Sequence, residues 1–254
     1  MTMIELREMR KTYGEKVAVE RLSLSVAEGE IFAFLGPNGA GKTTTIKVLA
    51  GLLRPDSGYA AVGGFDLQRD GLQARAIMSY VPDEPHLYDK LTAREFLHMT
   101  AELYGMSRAD AAPRIAQSAD VFELNEFIDS LIEGFSHGMK QRTVIAAALL
   151  HEPRLLVIDE PMVGLDPRSA RTVKDVLRKL SRERGMTVFM STHTLSVAEE
   201  IADRVGILNK GKLVALGTVG ELHGMRTAEK AEGHGRLEDL FLELTATSDD
   251  ATGG

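Results

Sequence analysis

The chain has 254 residues, 44% of them apolar, enough to bury a sizeable core in one large domain or two small ones. Its longest uninterrupted apolar run, "VIAAALL" at 144–150, is far below the roughly 18 to 20 residues that cross a bilayer, and there is no cysteine to staple an extracellular scaffold. A formal charge of −7 argues against a surface for phosphate backbones, which calls for a basic face, so no nucleic-acid partner is expected.

The opening "MTMIELREMRKTYG" alternates apolar and charged residues and lacks the apolar stretch of a secretory signal, which points to a cytosolic protein. It reads as a strand, followed by "ERLSLSVAEGE" and then the fully apolar "IFAFL", with "YGEK" and "AEGE" as turns. A glycine-rich loop and a helix from about Lys42 to Leu52 come next, ending before "RPDSG". Residues 84–150 read mostly as helices: "TAREFLHMTAELYG", "SRADAAPRIAQSADVF" and the segment after Ser136. Strand character returns in "RLLVIDE", "MTVFMST" and "RVGILNKGKLVAL", with "RSARTVKDVLRKLSRERG" as a crossover helix between the first two. Such alternation predicts a parallel sheet. In the tail, "TAEKAEGHG" is expected to be flexible, "RLEDLFLELT" to form a helix with Leu237, Leu240, Phe241 and Leu244 on one face, and "ATSDDATGG" to be a polar end.

Two motifs carry chemistry. "GPNGAGKT" fits a phosphate-binding loop and follows an apolar strand: Gly36, Pro37, Asn38, Gly39, Ala40 and Gly41 would turn backbone N–H groups toward a phosphate. Lys42 would add a point charge against the terminal phosphates, and the Thr43 hydroxyl, followed by Thr44, is placed to ligate Mg²⁺. "LLVIDEP" is an apolar strand ending in two carboxylates, at the strand end where ligands bind in open α/β sheets. Asp159 would hold Mg²⁺ directly or through a water, and Glu160 would act as a base on the attacking water.

With these two motifs the chain resembles the nucleotide-binding subunit of an ATP-binding cassette (ABC) transporter over roughly residues 3–222. The likeness extends to "EGFSHGMKQR" (133–142) at the place of the family's signature loop, "GLDP" (164–167) at its D-loop, "STH" (191–193) at its switch histidine, and Tyr13 where the family stacks an aromatic ring on adenine. It implies an α/β fold: a P-loop NTPase core with a mixed, mainly parallel sheet, an N-terminal antiparallel β subdomain and a helical insertion subdomain. It implies an ATPase domain over 1–225, with the insertion at about 84–150, and a tail over 226–254 carrying a short helix at 236–245. ATP and Mg²⁺ are the implied ligands, Glu160, His193 and Lys42 the implied catalytic residues, and Ser136 and Gly138 nucleotide contacts across a dimer. The implied partners are a transmembrane permease and a second ABC ATPase subunit, the same or different. The implied place is cytoplasmic, on the inner face of the membrane through the permease.

Two departures from the family pattern stand out. Asp83, in "YVPDEP", occupies the position of a glutamine that reaches metal and water, and a shorter carboxylate there could still ligate Mg²⁺. The signature core reads "FSHGM", keeping Ser136 and Gly138 but placing His137 and Met139 at unmatched positions. This variant, with "DEPHLYDKLTAREFL" and "LEDLFLELT", resembles exporters whose membrane subunits are separate polypeptides, the ABC-2 type. A ribosome- or DNA-associated cassette would bring a second cassette or long coiled coil, and the chain shows one cassette and no sustained heptads. A phosphotransferase would leave 133–142 and 155–167 unexplained.

Overall fold

The computed structural model describes residues 1–224 and 237–246. The first two strands, β1 (Thr2–Tyr13) and β2 (Lys16–Ala27), form an antiparallel hairpin. They join β4 (Ser57–Val62) and β5 (Phe65–Asp66) in a four-stranded antiparallel sheet of order β2-β1-β4-β5. The second sheet combines β3 (Ile31–Leu35), β6 (Met78–Val81), β7 (Leu155–Asp159), β8 (Thr187–Thr192), β9 (Arg204–Asn209) and β10 (Lys212–Gly217) in the order β10-β9-β3-β8-β7-β6. All its pairings are parallel except β9 with β10. The mixed, mainly parallel sheet and the separate antiparallel sheet are therefore both present.

Parallel strands buried on both faces should be apolar at every position. In β3, Ile31, Ala33 and Leu35 enter one core and Phe32 and Phe34 the other, all fully buried. Strand β8 divides likewise, Val188 and Met190 against Phe189, whose ring stacks on Phe32 at 5.5 Å. The phenylalanine face is covered by the antiparallel sheet and by α1 (Lys42–Leu49), through Ile46, Val48 and Leu49. The opposite face is covered by α5 (His137–Leu149), α6 (Pro167–Arg184) and α7 (Leu195–Ile201). Helix α3 (Ala93–Leu103) packs against both α4 (Arg108–Val121) and α5. Its start is a capping box: Thr92 Oγ1 accepts from the Glu95 N–H while the Glu95 carboxylate accepts from the Thr92 N–H at 2.8 Å.

Some elements differ from the sequence expectations. The strand character of "RVGILNKGKLVAL" resolves into two strands, because Lys210 (φ 46) and Gly211 (φ 80) take left-handed backbone and reverse the chain. The first helix stops at Leu49 rather than Leu52, its turn closed by Ala50 and Gly51. Strands β4, β5 and β6 and helices α2 (Gly71–Ala76), α7 and α8 (Val219–Gly224) add to the elements the sequence predicts. The last described helix, α9 (Leu237–Ala246), buries Leu237 and Leu240 in the same core as α7, and Phe241 and Leu244 pack beside them. The expected flexible stretch "TAEKAEGHG" and polar end "ATSDDATGG" lie outside the described residues.

Candidate nucleotide site

The loop after β3 has little freedom. A Cβ on Gly36 would come within 2.4 Å of the Leu208 carbonyl oxygen, and one on Gly41 (φ 109) within 2.4 Å of the Ala18 carbonyl oxygen. Only glycine fits so close to neighbouring backbone, and the left-handed φ at Gly41 restricts the position further. The loop is also tied by a 2.9 Å bond from the Gly211 N–H to the Ala40 carbonyl. Asn38 and Gly39 at its tip are exposed, Pro37 is half-buried, and Ala40 is buried. Gly41 then starts α1 with no side chain capping the helix, so its first N–H groups are available to an anion. Thr43 in the first turn is exposed and Thr44 half-buried.

Lys42 is buried, and its ammonium donates to the Gly36 carbonyl at 2.6 Å and the Pro37 carbonyl at 3.2 Å. Burial pulls its pKa down, opposed by the negative charge of Glu160 and Asp159. The lysine and the two strand-end carboxylates therefore share one electrostatic site, though they come from 36–43 and 159–160.

Asp159 ends β7 and is 2% exposed. The β7–β8 register sets Ser191 opposite it, and the Ser191 hydroxyl donates to Oδ1, leaving Oδ2 buried with no hydrogen-bond partner. A buried carboxylate oxygen without a partner is costly unless a cation completes it. The next residue, Glu160, takes φ 48, so its side chain leaves the strand line; its N–H is held by the Ser191 carbonyl at 3.1 Å. Its carboxylate meets His193 Nδ1 at 2.7 Å, with Glu160 largely covered and His193 exposed.

Asp83 is exposed on the loop after β6. Its charge and that of Asp159 both act on Tyr80, whose phenol is pushed up to about 12, chiefly by burial. Tyr13 lies half-exposed at the end of β1, paired with Lys16, with the Lys11 ammonium 5.9 Å from its ring centre. The hairpin carrying it touches the phosphate loop through Ala18 and Gly41.

Ser136 and Gly138 find their partners elsewhere. The Ser136 hydroxyl caps α5, accepting from the Met139 N–H at 3.3 Å, and a Cβ on Gly138 would lie 3.1 Å from the Gly164 carbonyl. The structure sets Lys42 in the field of Asp159 and Glu160, joins Glu160 to His193, and puts Ser136 and Gly138 at the start of α5. Sequence reasoning missed two contributors. Ser191 was seen only as part of "STH", since its contact with Asp159 depends on strand register, and Tyr80 lies in a strand too short to announce itself.

The buried Asp159 Oδ2 without a partner is an oxygen ligand of the kind a hard cation such as Mg²⁺ takes.

A family profile described as ABC transporter matches residues 19–163. Linearmycin resistance ATP-binding protein LnrL of Bacillus subtilis (strain 168) is 40% identical over 220 residues, covering 87% of this chain and 70% of that protein. Bacitracin transport ATP-binding protein BcrA of Bacillus licheniformis is 39% identical over 213 residues, covering 84% and 69%. A solved ATP-binding subunit of an ABC transporter aligns with a TM-score of 0.86 at 34% identity, covering 96% of this chain and 99% of that one. A dimeric ATP-binding cassette in a post-hydrolysis state, bound to ADP and Pi, aligns with a TM-score of 0.79 at 27% identity, covering 85% and 98%.

Proposed function

The chain belongs to the ABC transporter family as an ATP-binding, ATP-hydrolysing subunit, and we propose that it drives an exporter whose membrane-spanning permease is a separate polypeptide. Among the described residues no helix is long and apolar enough to cross a membrane, so the permease would supply the membrane path. The cassette would work at the cytoplasmic face, bound to that permease.

The observation that carries this reading is the convergence of Lys42, Asp159 and Glu160 at one end of the parallel sheet, with Asp159 Oδ2 left without a partner. The loop 36–43 and the start of α1 would hold the phosphates, Lys42 exchanging its bonds to Gly36 and Pro37 for phosphate oxygens. Tyr13 would stack on adenine. Mg²⁺, bound by Thr43 and Asp159 with Asp83 beside them, would neutralise charge on the terminal phosphates. Glu160 would take a proton from water as the water oxygen bonds to the γ-phosphorus and the bond from that phosphorus to the ADP oxygen breaks. His193 would hold the Glu160 carboxylate in place.

Ser136 caps the start of α5 and Gly138 faces the Gly164 carbonyl, and we infer that both serve a second copy's site. There the Ser136 hydroxyl and the positive end of α5 would meet the γ-phosphate, so that hydrolysis depends on two cassettes closing together. The test mixes a Lys42→Ala chain with a Ser136→Arg chain, each inactive alone. In the heterodimer one site carries both defects and the other neither, and that intact site is expected to hydrolyse ATP. No activity at any mixing ratio, with heterodimers confirmed by mass, would overturn an independently working site completed in trans.

A further inference from the structure

Residues 137 and 141 are one helical turn apart on α5 and share a face, and both meet the loop that follows Glu160. Gln141 is fully buried. Its amide nitrogen lies 3.4 Å from the carbonyl of Pro161, the residue after Glu160, while its amide oxygen is buried without a partner. His137 lies over Gly164: a Cβ there would come within 2.0 Å of His137 Cδ2 and 2.9 Å of Cγ and Nε2. The ring fits only because position 164 has no side chain. Between these two points Met162 packs against the core, as Leu165 does just beyond Gly164.

We propose that His137 and Gln141 are positioning residues: they clamp the loop 161–164 at both ends and so tie the start of α5 to the placement of Glu160. The inference rests on the reading in which Glu160 is the base and the start of α5 meets nucleotide. Glu160 has left-handed backbone that a non-glycine residue holds only under constraint from its surroundings, and its carboxylate must also meet His193. The chain leaves Glu160 directly into Pro161, whose carbonyl is the atom Gln141 faces. A shift at the mouth of α5, where Gly138 also crowds the Gly164 carbonyl, therefore reaches Glu160 through four residues of one loop. His137 stands where the family pattern has glycine; its bulk fills the space over Gly164, which accounts for the unusual signature in packing terms.

The test uses the purified full chain, with steady-state ATPase rates, binding of a fluorescent ATP analogue and thermal melting. Gln141→Met keeps the volume and removes the unpartnered oxygen. It is expected to melt no lower than wild type and to bind the analogue within about twofold, while kcat falls about tenfold. The exposed His137→Ala is expected to lose kcat about fivefold without losing binding, and His137→Gln to recover most of it. Gly164→Ala is expected to cost at least about tenfold more in kcat with His137 present than in a His137→Gly background, since the added methyl strikes the ring. Unchanged kcat in Gln141→Met and His137→Ala, or an equal cost of Gly164→Ala in both backgrounds, would overturn the clamp. Glu160→Gln run in parallel separates the two levels. Normal hydrolysis by that variant condemns the reading of Glu160 as base, whereas an inert Glu160→Gln beside fully active clamp variants condemns the clamp alone.

Discussion

His193 Nδ1 lies 2.7 Å from Glu160 Oε1, so the residue that follows β8 steers the residue that follows β7. Replacing Glu160 by glutamine keeps shape and hydrogen bonding but removes the ability to accept a proton. Turnover is expected to fall by about two to four decades, about 3 to 5 kcal/mol of transition-state stabilisation, with nucleotide binding retained. His193→Ala should lose less, about one to two decades, because it removes the support and leaves the base. Single-turnover hydrolysis beside equilibrium binding measures both; near-normal rates in purified Glu160→Gln would take Glu160 out of that role.

Lys42 is held by two carbonyls of its own loop, at 2.6 and 3.2 Å. Lys42→Ala is expected to weaken ATP binding itself, by about 2 kcal/mol or roughly 30-fold. Titration with a labelled ATP analogue decides it, and an unchanged dissociation constant would count against the phosphate-loop assignment.

Asp83 and Asp159 act together on Tyr80, and Ser191 occupies one oxygen of Asp159. Asp83→Asn should raise the Mg²⁺ concentration for half-maximal ATPase by about three- to tenfold, and Ser191→Ala should do the same by freeing the carboxylate to turn. Coincident Mg²⁺ titrations for wild type and Asp83→Asn would identify Asp83 as an ordinary solvated loop residue.

His151 stacks on Tyr104 with ring centres 3.5 Å apart, and burial pulls its pKa down to about 4. Its unfolded value is about 6.5, so below that pH the unfolded chain binds a proton that the folded chain refuses until about pH 4. Stability should therefore fall as pH drops from about 6.5 to about 4, by about 1 to 2 kcal/mol after allowance for partial solvent screening. Denaturant melts across that window should show a flatter profile for His151→Gln than for wild type. Parallel profiles would assign the acid sensitivity to other groups.

What could be read without coordinates follows from how local each signal is. "IFAFL" and "LLVID" are continuous apolar runs and announce buried parallel strands, and α6 carries its own start and stop in Asp166, Pro167 and Gly185. Strands β4 and β6 are held by partners far along the chain, β1 and β7, and β5, only two residues long, pairs back onto β4 across a tight turn. Helices α7 and α8, at 7 and 6 residues, are also short. In the site, strand-end carboxylates and a glycine loop are visible as letters. The contact of Ser191 with Asp159 is a matter of register, and that of His137 with Gly164 is a matter of tertiary packing.

The phosphate loop is wedged between the Ala18 and Leu208 carbonyls and tied at Ala40 by Gly211, so β2 and the β9–β10 turn mould its shape. A loop moulded by its own scaffold loses its conformational entropy when the protein folds, not when a ligand arrives. Nucleotide would then meet a rigid mould, and its association should be fast, enthalpically favourable and free of a slow ordering phase.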